Sequence, residues 1–242
     1  MRSLLISDLH MQEQRPDITR ALFYLLDQFE SKVDQLFILG DFFELWLGDD
    51  YLPEPAPEVA DRLAAFADAG TRIFIMHGNR DFLLGKQYAA RCGATLINEP
   101  YQVELAARQC LLMHGDTLCT GDIDYLNFRS MVRNPDWQQQ FVAKSIEQRI
   151  AFGQQARDQS KADTAQKDEL IMDVTHSEVV TCFERSGADV LIHGHTHRPA
   201  IHAVKTSCGD KTRMVLGDWH KEGWYILADN KTLKLERFAF PE

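Results

Sequence analysis

Five short apolar runs dominate the chain: Leu4-Leu5-Ile6, Leu36-Phe37-Ile38-Leu39, Ile73-Phe74-Ile75-Met76, Cys110 to Met113 and Val190-Leu191-Ile192. None alternates with polar residues, so each predicts a strand covered on both faces rather than one with a wet side. Between the first three runs lie helical patterns over Ile18 to Phe29 and Val59 to Ala69. That order predicts a β-α-β-α-β opening, and hence a parallel sheet with right-handed crossovers. After Ala200 the pattern changes to alternation, as in Met214-Val215-Leu216 and Trp224-Tyr225-Ile226-Leu227, which predicts antiparallel strands completing a second sheet.

From about Gly121 to Met172 the rhythm breaks. Trp137, Phe141, Ile146 and Ile150 recur at helical spacing beside Arg129, Arg133, Lys144, Arg149 and Arg157, so residues 121–172 read as amphipathic helices inserted between two strands. At 242 residues the chain suits one large α/β domain, 1–242, carrying that insertion as a cap. Its net charge of −10 argues against nucleic acid as a general partner. The five cysteines are odd in number and show no C-x-x-C spacing, and only a brief apolar stretch follows Arg2, so a reduced, intracellular protein is expected. No apolar segment approaches the roughly 18 residues that would span a bilayer.

The polar residues that end these runs are of one chemical kind. Asp8 and His10 lie in "DLH", Asp41 in "GDFFE", Asn79 in "GNRD", His114 in "HGD", and His195 and His197 in "GHTH". Loops beyond the carboxyl ends of parallel strands converge on one crevice, so donors far apart in sequence can meet there. Oxygen and imidazole donors without thiolate suit manganese, iron, zinc or a related divalent ion. Two ions account for seven donors better than one. Asp8, His10 and His197 are assigned to the first, Asn79, His114 and His195 to the second, and Asp41 to both as a bridge. A water held between the ions is then expected to attack phosphorus as hydroxide. Glu44, Asp81 and Asp116 are read as groups that orient ligands. The isolated His176, His202 and His220 are read as structural, and His77 and His193 as packing or orienting residues.

These blocks resemble the calcineurin-like metallophosphoesterases, whose pattern runs D-x-H, G-D, G-N-H, H and G-H-x-H. The resemblance covers residues 8 to 197 and implies a two-sheet β-sandwich flanked by helices. Arg80 departs from it, standing where many members carry histidine. Arginine stays protonated, so it can stabilise charge but cannot protonate a leaving group. That suits a phosphoanhydride, whose leaving group is itself a phosphate; an ion pair with Asp81 is the competing role for Arg80.

The fuller set "SDLH", "GDFFELWLGDD", "HGNRDFLLG", "HGD" and "IHGHTHRP" resembles one branch, the UDP-2,3-diacylglucosamine pyrophosphohydrolases of lipid A biosynthesis, over nearly the whole chain. The branch carries arginine at this position. It implies hydrolysis at the α-phosphorus to UMP and 2,3-diacylglucosamine 1-phosphate, two Mn²⁺ per chain, and a monomer seated peripherally on the cytoplasmic face of the bacterial inner membrane. It further implies Asp41, Asn79, Arg80 and His195 as catalytic residues, with Asn79, Arg80, Asp122, Ser160, Thr164, Lys167 and His195 meeting the substrate. Tyr125, Phe128, Met131, Trp137, Phe141 and Phe152 on the cap are candidates for an acyl groove, and the cap's basic residues for contact with anionic head groups. A general phosphodiesterase or protein phosphatase on the same scaffold is the rival reading. A non-catalytic binding scaffold would be expected to show damaged ligands, and none of the seven is damaged.

Overall fold

A computed structural model describes residues 1–166 and 173–241, with side chains omitted over 160–166. The chain alternates strand and helix at first: β1 (Ser3–Ile6), α1 (Pro16–Phe29), β2 (Gln35–Leu39), α2 (Ala56–Asp68), β3 (Arg72–Met76), α3 (Lys86–Arg91) and β4 (Ala94–Ile97). A hairpin of β5 (Tyr101–Leu105) and β6 (Arg108–Leu112) follows. Next come the inserted helices α4 (Ile123–Val132), α5 (Pro135–Val142) and α6 (Ile146–Gln166), then α7 (His176–Ser186) and β7 (Val190–His193). The chain closes with β8 (Ala200–Thr206), β9 (Gly209–Val215), β10 (Glu222–Ala228) and β11 (Leu233–Ala239).

Two sheets stack face to face. One has the order β11-β10-β1-β2-β3-β4 and the other β5-β6-β7-β9-β8. The unbroken apolar runs have a direct explanation here. Leu4, Ile6, Leu36 and Ile38 face a core shared with α1 and α2, whereas Leu5, Phe37 and Leu39 face the space between the sheets. In the second sheet Leu112, Val190 and Ile192 face that same space, and Leu111 and Leu191 pack outward against Val179 and Phe183 of α7. Each central strand is therefore covered on both sides, in a four-layer helix–sheet–sheet–helix stack.

One expectation is corrected. The C-terminal strands do not all complete the second sheet: β10 and β11 extend the first, with β10 antiparallel to β1, while β8 and β9 belong to the second. β9 also runs parallel to β7. Alternation in a sequence reports which face of a strand is wet and carries no information about which sheet takes the strand.

Candidate metal centre and apolar cavity

β1, β2 and β3 run parallel in one sheet, and β6 and β7 run parallel in the other. Their carboxyl ends meet at one end of the sandwich. Asp8 and His10 follow β1, Asp41 follows β2, Asn79 and Arg80 follow β3, His114 follows β6, and His195 and His197 follow β7. The loops are stitched across the two sheets: the His195 amide donates to the Asp8 carboxylate at 3.0 Å, and the His114 Nδ1 lies 2.9 Å from the Leu39 carbonyl. Within a sheet, the Asp8 amide donates to the Gly40 carbonyl at 3.1 Å and that of His10 to the Asp41 carbonyl at 2.9 Å.

All seven donors are brought together. His197 Nε2 lies 3.4 Å from Asp8 Oδ1 and 3.3 Å from His10 Nε2. His10 Nε2 and His114 Nε2 each stand 3.7 Å from an Asp41 oxygen, one on either side of the carboxylate. His114 Nε2 and His195 Nδ1 both sit 2.9 Å from Asn79 Oδ1. Among the described residues, two groups of acids and imidazoles are compact enough to hold an ion: Asp8 with His10 and His197, and Asp8 with Asp41 and His114. Asp8 thus reaches both groups, where the sequence reading gave it to one.

Two physical observations indicate that the cluster is built for a cation. Asp8 and Asp41 are buried, and burial pushes the Asp41 carboxyl above its ordinary value, with Asp81 and Asp8 adding to the rise and His114 and His10 opposing it. An anionic pocket of this kind wants positive charge, which His114 supplies in part: burial works against its protonation, but Asp41, Asp116, Asp8 and Glu99 lift its pKa to about 9. His195 is driven the other way, to about 3, by burial and by the His114 charge, so it is a neutral donor at pH 7. The second observation is backbone strain. Asp8, His10, Asp41, His195 and His197 all have positive φ, between 49° and 63°. Each such residue costs about 1–3 kcal/mol. The surrounding loops hold five donors in a conformation they would otherwise leave, and carboxylate, imidazole and amide oxygen together fit a divalent ion.

Asp81 fixes the floor of the site. Its buried carboxylate accepts from the Gly78 amide at 2.7 Å and from the Phe42 amide at 2.8 Å, so it ties the loop after β3 to the loop after β2. No ion pair joins it to Arg80 among the described residues. The Arg80 amide donates to Asp41 at 2.8 Å, while its Nε is buried without a partner. Gly78 and Gly194 permit the close approach: a Cβ on Gly78 would fall 2.1 Å from Asp41 Oδ1, and one on Gly194 2.0 Å from Asp8 Oδ2.

Beside the donors a cavity of about 350 Å³ opens between the body and the inserted helices, with Asn79 and Arg80 in its lining. Leu45, Trp46, Leu47, Phe82 and Leu83 wall it from the body, and Tyr125, Phe128, Phe141 and Phe152 from the cap. Of the six aromatic and aliphatic cap candidates, Met131 instead faces solvent, and Trp137 stacks on Phe141 with ring centroids 4.9 Å apart, supporting the wall from behind. The body wall was the part that sequence reasoning missed; the apolar stretch Leu45-Trp46-Leu47 beside a donor loop was the available signal.

The arginines of the cap are not a free cationic face, although Lys144 is exposed. Arg129 donates to Asp116 at 2.7 Å and Arg133 to the Gly78 carbonyl at 2.7 Å. Arg149 donates to Asp50 and to the Leu47 carbonyl, each at 2.7 Å, and Arg157 lies 3.7 Å from Glu44. They fasten the cap to the body. Asp122 caps α4 by accepting from the Tyr125 amide, and its side chain also lines the cavity. Ser160 and Thr164 lie in the part of α6 whose side chains are outside the described residues, and Lys167 lies outside them altogether. His77 reaches the Leu84 carbonyl at 2.6 Å, and His193 bonds to the Gly194 carbonyl at 2.8 Å, both in packing roles.

Comparison with known proteins agrees with this geometry. The model of the calcineurin-like phosphoesterase family matches residues 1–199. Among curated proteins, the UDP-2,3-diacylglucosamine hydrolase of Cellvibrio japonicus is 51% identical over 239 residues, covering 98% of this chain and 99% of that one. The protein of the same name from Hahella chejuensis is 48% identical, covering 95% and 94%. Among solved structures, a novel archaeal phosphodiesterase aligns over 99% of both chains with a TM-score of 0.50 at 13% identity, a likeness of fold alone.

Proposed function

The chain belongs to the calcineurin-like phosphoesterase family, and from that membership we propose that it is the hydrolase that cleaves the pyrophosphate of UDP-2,3-diacylglucosamine, releasing UMP and 2,3-diacylglucosamine 1-phosphate in lipid A biosynthesis. The observation that carries the reading is the largely apolar cavity whose lining includes Asn79 and Arg80, because a diacylated sugar phosphate needs an apolar slot joined to a polar, cation-binding end. The name shared by relatives 51% and 48% identical over nearly their full length supports the same substrate.

A divalent metal is the cofactor, and we assign Mn²⁺, two per chain, to Asp8, His10, Asp41, Asn79, His114, His195 and His197, with Asp41 between them. Bound there, such ions would lower the pKa of a water for in-line attack on the α-phosphorus and neutralise phosphoryl charge. The protein supplies the rest. Asn79 turns its amide oxygen to His114 and His195, so its amide nitrogen remains to meet a phosphate oxygen. Arg80 holds a permanent positive charge beside the departing phosphate, whose low basicity makes a proton unnecessary. Ser160, Thr164, Lys167 and Asp122 are the proposed partners of the sugar and its phosphate.

The proposed domain plan is a single body, 1–242, with residues 121–172 as a cap. No described helix is long and apolar enough to cross a membrane. We place the enzyme at the cytoplasmic surface of the inner membrane, where its substrate resides, as a monomer. With the arginines of the cap engaged inward, we assign membrane contact to the exposed Ile123, Met131 and Val142. Turnover of UDP-diacylglucosamine with Mn²⁺ in ¹⁸O-labelled water tests the reaction: label is expected in UMP, and label in the sugar phosphate overturns attack at the α-phosphorus. Preference for a simple aryl phosphodiester over the UDP-lipid would favour a general phosphodiesterase.

A further inference from the structure

The apolar cavity and the donor cluster share one wall, and Glu44 stands in it. Its Oε2 lies 2.9 Å from Nδ1 of His10, and its Oε1 lies 3.7 Å from Nη1 of Arg157. Arg157 belongs to α6 of the cap, and its Nε is buried without a hydrogen-bond partner. Both Glu44 and Arg157 line the cavity. A line of contacts therefore runs from the inserted helices, past the space an apolar ligand would fill, to one imidazole of the proposed metal centre.

Each link has a physical consequence. With Nδ1–H donated to Glu44, His10 presents the lone pair of Nε2 toward His197 and Asp41, and a carboxylate on the far nitrogen raises the basicity of the near one. The tie between Arg157 and Glu44 is weaker. At 3.7 Å it is an ion pair longer than a hydrogen bond, with side chains 28% and 16% exposed, so water still screens it. An alkyl chain entering the cavity removes that water. Attraction between the two charges then rises as the local dielectric falls, and Arg157, with an unpartnered nitrogen, gains by closing on the carboxylate. Glu44 is then held in one rotamer before His10 binds anything. The ordering cost that metal binding would otherwise carry is already met, and the Glu44 charge acts on the cation through a drier medium.

We propose that Glu44 and Arg157 transmit occupancy of the apolar cavity to His10, so that an alkyl chain in the cavity tightens the donor cluster's hold on its metal. By linkage, metal tightens the binding of the chain by the same factor. Glu44 and Arg157 are positioning residues in this scheme, acting through His10. The inference rests on the reading of the cavity as an acyl site.

A phosphate-free amphiphile, N-dodecanoylglucosamine, tests it without bringing a phosphate to the metal. Mn²⁺ affinity of the full chain is read from the electron paramagnetic resonance of free Mn²⁺, with and without the amphiphile, and amphiphile binding is measured separately by calorimetry. In the wild type the amphiphile is expected to tighten Mn²⁺ binding about fivefold or more. Glu44→Gln should weaken Mn²⁺ binding about tenfold or more even without amphiphile and abolish the coupling. Arg157→Ala should bring the coupling factor close to one, and Arg157→Lys should restore part of it; the lysine variant decides the matter should the alanine one misfold. Amphiphile binding that leaves wild-type Mn²⁺ affinity unchanged, or a full coupling factor in folded Arg157→Ala, overturns the inference alone. Failure of the wild type to bind the amphiphile removes the acyl reading of the cavity and the inference with it.

Discussion

Arg80 shows how much one side chain narrows the chemistry. A guanidinium with its Nε buried and without a hydrogen-bond partner, between an apolar cavity and a cluster of buried carboxylates, makes no close ion pair among the described residues and meets the Glu44 charge only through space. It therefore stands ready for an anionic ligand. Arg80→Ala is expected to lower kcat on the UDP-lipid by about 10²-fold or more, the scale of losing one preorganised donor, and Arg80→Lys should retain a larger share; equal losses in steady-state assays would reduce Arg80 to a spacer. Asp81 is the structural counterpart. Its replacement by alanine leaves the Gly78 and Phe42 amides buried without acceptors, at about 1–3 kcal/mol each, so urea denaturation should show a loss of that order; a variant as stable as the wild type would mean that other acceptors take up those amides. That these seven side chains would gather at one place was legible from residue type and position after apolar runs. The left-handed backbone of five of them was not, since φ is set by what each loop must reach across the sandwich.

Among the elements, the central strands were readable because burial on both faces leaves no polar position in them. The short α3, β4 and β5 were not, since a six-residue helix and half-exposed strands carry too little periodicity to stand out. The inserted helices were recognisable as helices, but their basic residues gave no hint of direction. Arg149 is buried on Asp50 and the Leu47 carbonyl, and its hydrogen bond holds the Asp50 carboxyl below its ordinary value of 3.8. A lowered folded-state pKa means that this contact contributes fully above that ordinary value and fades as pH falls through the folded one. Amide exchange in α5 and α6 is accordingly expected to keep constant protection between pH 7 and about 5, allowing for intrinsic exchange rates, and to lose part of it below about pH 4. Asp50→Asn should show the acid pattern already at pH 7. Unchanged protection in that variant would mean that the Arg149 contact does not seat the cap.

At the scale of the whole molecule, two sheets place five strand ends at one edge of the sandwich, and the acids gathered there repel one another until a cation is present. Mn²⁺ is therefore expected to raise the melting temperature and EDTA to lower it, in proportion to occupancy; Asp41→Ala should lose both this response and metal-dependent turnover. A melting temperature indifferent to metal in the wild type would contradict a cation site at this edge. What the sequence determined by itself was chemistry and local form: which side chains are of a type that suits a divalent ion, which strands lie buried on both faces, and that helices interrupt the chain after Gly121. These follow from side-chain type and spacing, which are properties of neighbours along the chain. Only the tertiary structure decided that β10 and β11 extend the first sheet, that Asp8 reaches both donor groups, that Leu45 to Leu47 wall the cavity, and that the arginines of the cap turn inward. Those facts depend on contacts between segments tens to hundreds of residues apart, whose partners are chosen by packing and by the pairing of buried charge, and no local pattern records that choice.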